Sequence, residues 1–349
     1  MAKLLAQRID SGGDGSLLGH VGEYTWGITP YQQPVLIYNP TAGKLRRDPE
    51  RILQTTTESL ARAKLVSPGS IRSNATSAPG DATRIAREAV AAGADLILVL
   101  GGDGTVNEAV NGMVHSSVAL GILPGGTANV LAMELGLGSR LDRAIERLSK
   151  CAPRRVSVGR LRGSHHGAGN GSFGPGSAAA GSLNGSRHFL AMGGAGLDAS
   201  IVRALNPEFK ARAGKLAYWV SGFAHITERV SEFEARINGN SYRCGFALAS
   251  RVRNYGGDLE IASGASLAHD DFEFVLFEGS NPLRYLWYML GVSVKRVKGM
   301  TGVHTVRGDL LELPGAAHLQ VDGEYAGESP ARIDIVPGAL TLLMPPDYR

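Results

Sequence analysis

The spacing of apolar residues changes character along this chain. In the first part, short and almost wholly apolar runs at residues 34–38, 95–100 and 118–124 predict three buried strands. Segments with apolar residues at helical spacing follow each run. Strands that alternate with helices, and that are apolar on both faces, indicate a parallel sheet covered by helices on both sides.

Start and stop signals place the helices between these strands. Asp48 and Pro49 predict the N-cap and first turn of a helix over 47–63, and the spacing predicts a second helix over 81–93. A third is expected to begin near Val106, and a short one to cover 128–135. Ser139 and Asp142 have the spacing of a capping box, which predicts a further helix start.

After about residue 153 the pattern becomes that of an antiparallel β structure. Asn238-Gly239 separates two strand-like runs, a favoured hairpin signal. One helical stretch, 283–297, interrupts the strands. Its aromatic and aliphatic face, beside Lys295, Arg296 and Lys298, either rests on an anionic membrane or covers a sheet with the basic end in solvent. The predicted strands cover residues 187–193, 233–237, 244–250, 272–277, 318–321 and 331–336.

These patterns divide the chain into an α/β domain over 33–155 and a β domain over 156–335. Residues 1–32 show no sustained periodicity and are expected to form a flexible extension. The Gly- and Ser-rich stretch 163–186 is expected to be a mobile loop of the second domain.

Composition narrows the class of protein. The net charge of +4 suits an anionic ligand or membrane surface but is too small to favour nucleic acid. Two cysteines do not make a disulfide framework, which indicates a reducing compartment. The first residues lack a signal-peptide core, and no apolar run reaches the length of a membrane span. A cytoplasmic protein with peripheral membrane contact is expected.

The stretch LILVL-GGDGT-VNEAV, residues 96–110, is a strand, a glycine-rich turn and a helix start. Glycines allow close approach of backbone to a ligand, and a helix N-terminus presents amides to a phosphate. An ordinary tight turn is the structural alternative. The presence of Asp103 favours a functional site over an ordinary turn, because a carboxylate beside phosphate requires a cation or a reacting hydroxyl between them. The pattern is neither the Walker A loop nor the dinucleotide GxGxxG fingerprint.

Residues 101–108, GGDGTVNE, resemble the signature of the diacylglycerol kinase catalytic-domain family, soluble lipid kinases related to sphingosine and ceramide kinases. NAD kinases share this core, so the stretch alone marks a superfamily. Further segments resemble the family in order and extend the resemblance from about residue 34 to the end. They are YNPTAGK (38–44), TSAPGDA (76–82), LPGGTANVLA (123–132), GGAGLDA (193–199), residues 252–277 and LQVDGEYAG (319–327).

The resemblance implies an N-terminal NAD-kinase-like α/β domain that binds ATP and a C-terminal β-sandwich, with residues 336–349 able to return to the first domain. It implies that Glu324 is the general base and that Asp103 lies close to the chemistry. The alternative for the segment around Glu324 is a simple Asp-Gly hairpin. The implied ATP contacts are Asn39, Pro40, Thr41, Ala42, Gly43, Thr76, Gly102, Asp103, Gly104, Thr105, Val106, Asn107, Glu108, Gly126, Thr127 and Asn129.

The resemblance also implies a Mg²⁺ in the β domain, held by the Asp270 carboxylate with the Leu267 and Phe272 carbonyls. Here Asp271 stands where the family has glycine, and a solvated acidic turn is the alternative. Arg251, Arg253 and Asn254 could face phosphate or a lipid headgroup, or lie on the surface at a strand end.

The activity implied is ATP- and Mg²⁺-dependent phosphorylation of a lipid hydroxyl, most simply that of diacylglycerol, giving phosphatidic acid. Peripheral membrane contact and a homodimer are compatible with it. Two departures, Val130 and Ser157, stand where the family usually has aspartate, so a catalytically weakened binding protein is one alternative. A NAD kinase-like nucleotide kinase is the other.

Overall fold

The computed structural model describes residues 30–163, 185–197, 199–200, 230–256 and 259–349. Most of the expected extension (1–32) and of the expected mobile loop (163–186) lies outside the described residues.

Four parallel strands open the fold, in the spatial order β2-β1-β3-β4. The three apolar runs are confirmed as β1, β3 and β4. The pattern missed β2, which lies at the sheet edge and has mostly exposed side chains. The strands are β1 (Pro34–Tyr38), β2 (Arg72–Ala75), β3 (Leu96–Gly101) and β4 (Ala119–Pro124).

The helices of this half are α1 (Pro49–Arg62), α2 (Asp81–Ala91), α3 (Asp103–Met113), α4 (Val130–Glu134) and α5 (Leu141–Leu148). Asp48 caps α1 as predicted, its carboxylate accepting the Arg51 N–H at 3.1 Å. The capping box is wrong: α5 has Arg140 as its N-cap, and Asp142 pairs with that arginine instead. Helix α3 begins three residues earlier than Val106, because its first turn is polar and gives no apolar signal.

The second half is antiparallel β, as expected. Its elements are β5 (Ala152–Gly163), β6 (Ser186–Phe189), β7 (Met192–Gly196), β8 (Phe233–Ile237), β9 (Asn240–Cys244), β10 (Phe246–Ser250), β11 (Asn254–Gly256), β12 (Leu259–Glu260), β13 (Phe272–Phe277), α6 (Pro282–Ser293), β14 (Val303–Gly308), β15 (Leu310–Leu313), β16 (His318–Val321), β17 (Glu324–Glu328) and β18 (Ala331–Met344).

One large sheet runs through both halves of the molecule, in the order β2-β1-β3-β4-β18-β15-β8-β9. Strand β18 pairs in parallel with β4, Thr341 opposite Ala119, and antiparallel with β5 along most of its length. A second sheet, β14-β13-β10-β7-β16-β17, packs on the C-terminal part of the first. Apolar side chains from both sheets, such as Phe189, Phe274 and Ile333, form the core of this sandwich. The predicted fold class, α/β plus a β-sandwich, is confirmed.

No helix in the described part of the chain combines the length and the hydropathy needed to cross a bilayer.

Candidate functional site

The residues expected to contact nucleotide lie at one edge of the large sheet, directly after the carboxyl ends of its parallel strands. Asn39 follows β1, Thr76 follows β2, Gly102 follows β3 and Gly125 follows β4. The Thr76 N–H donates to the Tyr38 carbonyl at 2.9 Å, which holds the first two turns side by side. In open α/β sheets this edge is where ligands bind.

The turn after β1 is fixed by its own side chains and by a lysine. The Asn39 amide oxygen accepts the Thr41 N–H at 2.9 Å and its hydroxyl at 2.8 Å. The Lys44 ammonium donates to the Pro124 carbonyl at 2.9 Å and to the carbonyl of Ser139, and burial lowers the pKa of this lysine. Within this turn Pro40 and Gly43 are accessible, and Ala42 is buried.

The turn after β4 lies against the turn after β3. A Cβ built on Gly126 would lie 2.6 Å from the Gly102 Cα, so only glycine allows this approach. The Asn129 side chain holds Gly126 at both ends: its oxygen accepts the glycine N–H at 2.9 Å and its amide donates to the glycine carbonyl at 2.8 Å. Thr127 is exposed next to them, with its hydroxyl facing Gly43.

Helix α3 points its N-terminus at the same edge. Gly102 is the N-cap and offers no side chain to cap the first turn, Asp103 to Thr105. The Asp103 carboxylate accepts the Leu131 N–H at 3.4 Å, which places it beside the start of α4. An uncapped helix start with a carboxylate beside it suits a phosphate accompanied by a cation.

The next three residues of the signature, Val106, Asn107 and Glu108, face the interior. Val106 belongs to the core, and Asn107 is buried. The Glu108 carboxylate accepts the Ala82 N–H at 3.2 Å, so it caps α2, and burial raises the pKa of this carboxyl group. We therefore expect the side chains of Val106, Asn107 and Glu108 to position the turn rather than to contact nucleotide.

Glu324 comes to this helix from the opposite end of the chain. Asp322 and Gly323, with φ of 48° and 78°, form the two-residue turn between β16 and β17, so the predicted hairpin is present. The hairpin directs the Glu324 carboxylate onto the first turn of α3, where a Cβ on Gly104 would lie 2.5 Å from Glu324 Oε1. The segment is thus a hairpin and part of the site at once.

A buried network that the sequence analysis missed supports Glu324. The Arg187 guanidinium donates to the Glu324 carboxylate. It also donates to the Asn107 amide oxygen, at 3.2 Å. The Asn107 amide in turn donates to the Asp322 carboxylate at 2.8 Å. Asp322 also accepts backbone N–H groups of residues 190–192, and desolvation raises its pKa to about 6. Arg187 begins the predicted strand 187–193, and its charge in a segment expected to be largely buried is the signal that could have identified it.

The loop expected to hold a structural Mg²⁺ has other partners. The Asp270 carboxylate accepts the Ser157 hydroxyl, and the Leu267 carbonyl accepts the Arg251 guanidinium at 3.0 Å. Phe272 is buried at the start of β13. Among the described residues, no group of three or more His, Cys, Asp or Glu side chains is placed to hold a metal ion.

Comparison with known proteins agrees with this architecture. The model of the family described as diacylglycerol kinase catalytic domain matches residues 33–161, and that of the YegS C-terminal NAD kinase beta sandwich-like domain matches residues 191–344. The chain is 24% identical over 305 residues to the diacylglycerol kinase of Bacillus subtilis (strain 168), covering 84% of this chain and 90% of that protein. A diacylglycerol kinase of Staphylococcus aureus (strain MRSA252) is 25% identical over 312 residues, covering 85% and 87%.

Solved structures share the fold. The crystal structure of a diacylglycerol kinase from Bacillus anthracis str. Sterne superposes with a TM-score of 0.68, at 23% identity, covering 90% of this chain and 98% of that one. Together, the two matching family models account for most of the sequence. The chain therefore belongs to the diacylglycerol kinase catalytic-domain family and is a lipid kinase of that family.

Proposed function

We propose that this lipid kinase transfers the γ-phosphoryl group of ATP, with Mg²⁺, to the hydroxyl of a diacylglycerol-like lipid to give phosphatidic acid. The observation that carries the proposal is the position of Glu324 on the first turn of α3. A carboxylate able to accept a proton lies there beside an uncapped helix start suited to phosphate. Phosphoryl transfer to an alcohol needs both features in one place.

The residues of the edge fit ATP. Backbone of the turns after β1, β3 and β4 is accessible, and the close approach of Gly102 and Gly126 leaves no side chain between these turns. Asp103 is the carboxylate we expect to hold Mg²⁺, which when bound neutralises charge on the phosphates. Thr76 and Thr127 flank the turns and offer hydroxyls for further contacts.

Glu324 is proposed to remove the proton of the lipid hydroxyl. It is half-exposed, so a substrate can reach it, and Arg187 fixes the orientation of its carboxylate from the protein side. The hairpin turn is anchored in turn by Asp322 on backbone N–H groups. These contacts limit the movement of the Glu324 carboxylate and so help to align the base with the lipid hydroxyl.

A lipid substrate requires contact with a membrane, and α6 offers a surface for it. Its large apolar side chains Leu283, Leu286, Trp287 and Leu290 are 50% to 72% exposed. Lys295 and Arg296 follow the helix directly. An exposed apolar stripe next to basic residues suits the surface of an anionic bilayer. We include peripheral membrane attachment through α6 in the proposed function.

The test is transfer of label from γ-labelled ATP to diacylglycerol in mixed micelles, to a total lipid extract and to NAD, with mass spectrometry of the products. Label is expected in phosphatidic acid and not in NADP. Glu324→Gln and Asp103→Asn are each expected to lower turnover by about 10²–10⁴-fold with the fold intact by circular dichroism.

Glu328→Gln, the same change on the same strand but away from α3, is the matched control and is expected to keep activity. Wild-type-like turnover in both site variants would contradict the roles proposed for Glu324 and Asp103. Transfer to NAD alone would identify a nucleotide kinase, and ATP binding without transfer to any lipid would identify a binding protein.

A further inference from the structure

Arg251 is a fully buried arginine whose partners are main-chain carbonyls. It follows β10, and its side chain is 0% exposed, contrary to both roles expected from the sequence. The guanidinium donates to the carbonyls of Leu267 at 3.0 Å, His269 at 2.8 Å and Asp271 at 3.2 Å. Three carbonyls of one short loop thus converge on a single internal cation.

This is the loop through which the family resemblance implies a bound divalent cation. The Leu267 carbonyl, one of the implied ligands, instead accepts an N–H of Arg251. The guanidinium therefore already provides positive charge at the carbonyls of this loop. A second cation among the same carbonyl oxygens would be repelled by the buried guanidinium, whose charge is not screened by water.

The charges of the loop support the same conclusion. The Asp271 carboxylate is neutralised by Arg307, at 2.9 Å and 2.6 Å. Ser157, which donates to the Asp270 carboxylate, stands where the family usually has a second acidic residue. The exposed Asp270 carboxylate, which accepts the Ser157 hydroxyl, is the remaining negative charge of the loop. A divalent ion beside the buried Arg251 guanidinium would therefore leave a surplus of positive charge.

We infer that Arg251 takes the place of a structural divalent cation in this protein, so that the 267–272 loop is organised by an internal guanidinium and needs no metal. The inference concerns the β domain alone and is independent of any Mg²⁺ that accompanies ATP. Ser157 stands where the family usually has aspartate, and Asp271 stands where it has glycine. Both departures then accompany the replacement of a metal ion by the Arg251 guanidinium.

The wild-type chain gives the first test. The desalted protein is assayed without nucleotide, before and after EDTA treatment, for metal content by plasma mass spectrometry and for Tm with and without millimolar Mg²⁺. We expect no stoichiometric metal and the same Tm in all conditions. Retention of one metal ion per chain, lost in Asp270→Asn and accompanied by a fall in Tm on EDTA treatment, would overturn the inference.

A second test removes the guanidinium. Arg251→Met is expected to lower Tm by roughly 5–10 °C, because the three loop carbonyls lose their buried hydrogen-bond donor. Arg236→Met, which removes an exposed arginine paired with Glu234, is the control and is expected to have little effect. An Arg251→Met protein as stable as the control would contradict the inference, and the wild-type metal assay decides even if this variant does not fold.

Discussion

The Glu324 carboxylate has a different neighbour on each side. Arg187 approaches it from the interior, and the backbone of Gly104 lies on the side of the nucleotide edge. Arg187 is itself buried, and its Nη1 has no hydrogen-bond partner among the described residues. Because the Arg187 guanidinium is desolvated and incompletely paired, its position depends on its contacts with Glu324 and Asn107. Arg187 and Glu324 therefore constrain one another.

Arg187→Met is expected to lower kcat by about 10- to 100-fold, because the base loses the group that orients it. The KM for ATP is expected to change little, since Arg187 is not among the turns that face the nucleotide edge. Arg187→Lys keeps the charge without the planar fork and should restore part of kcat.

Steady-state kinetics with diacylglycerol micelles would measure both constants. Arg162→Met, on the neighbouring strand and paired with Asp334, is the control. A rise in KM for ATP with kcat unchanged would contradict a positioning role for Arg187.

His188, next to Arg187, determines part of the acid stability. Burial, with help from Arg160 and His115, lowers the pKa of its imidazole to about 4, although Asp334 acts in the opposite direction. The unfolded chain takes up this proton near pH 6.5 and the native protein does not, so stability falls as pH drops from about 6.5 towards 4.

Between pH 7 and pH 4.5, the free energy of unfolding of the His188→Gln variant is therefore expected to fall by about 2 kcal/mol less than that of wild type. Urea unfolding at several pH values would measure this difference. The raised pKa of Asp322 has the opposite effect in this range, but it is present in both proteins and cancels in the comparison. Parallel pH profiles of the two proteins would show that His188 is not the group responsible.

Local sequence patterns predicted the strands and turns whose formation depends on residues close together in the sequence. Apolar runs gave β1, β3 and β4, and the glycine turns at their ends follow from the order of strand, turn and helix. The network behind the site was not predictable in this way. Arg187 meets Glu324 across 137 positions, and Asn107 meets Asp322 across 215. Only the three-dimensional arrangement of β6, β17 and α3 brings these polar groups together.

Gly126→Ala tests the contact between the turns after β3 and β4. The new methyl group would meet the Gly102 Cα at 2.6 Å, which is backbone and cannot rotate away. We expect a loss of about 1–3 kcal/mol in the free energy of unfolding and a marked loss of ATP binding.

Urea unfolding and calorimetric titration with ATP would measure these two effects. Gly315→Ala, where a Cβ has open space, is the control. An alanine variant that binds ATP like wild type would show that the two turns separate without cost.

The exposed face of α6 gives a prediction about membranes. Replacing Leu286 and Trp287 by serine should weaken sedimentation with vesicles that contain phosphatidylglycerol. Activity on a dispersed short-chain substrate should be kept, because both side chains are exposed and belong to α6, outside the turns that form the nucleotide edge. Pure phosphatidylcholine vesicles should bind wild type less well, since they lack the charge that Lys295 and Arg296 complement. If the serine variant instead changes only the oligomeric state on gel filtration, the face is a contact between copies of the chain.

At the scale of the molecule, β18 joins the two halves into one sheet. Near its end it pairs in parallel with β4 of the nucleotide half, and earlier it pairs with β15 of the sandwich. Glu324 lies on β17, directly before this strand, whereas Gly104 lies on the far side of β4. The distance between the base and the phosphate edge is therefore set by the continuous large sheet together with the second sheet, which contains β17 and packs on it.

Because the sheet is continuous, we expect the described parts of the two halves to unfold together. Leu342 is 0% exposed and lies on β18 where it pairs with β4 and β5. Leu342→Ala should cost about 2–4 kcal/mol, and hydrogen exchange should accelerate by the same factor, roughly 100-fold, in β3 and in β13. Leu283→Ala, the same change at a side chain that is 72% exposed, should leave both strands protected. Mass spectrometry of exchanged peptides separates the two outcomes: acceleration in β3 with β13 unchanged would mean that the sandwich is stable alone and that β18 does not couple the halves.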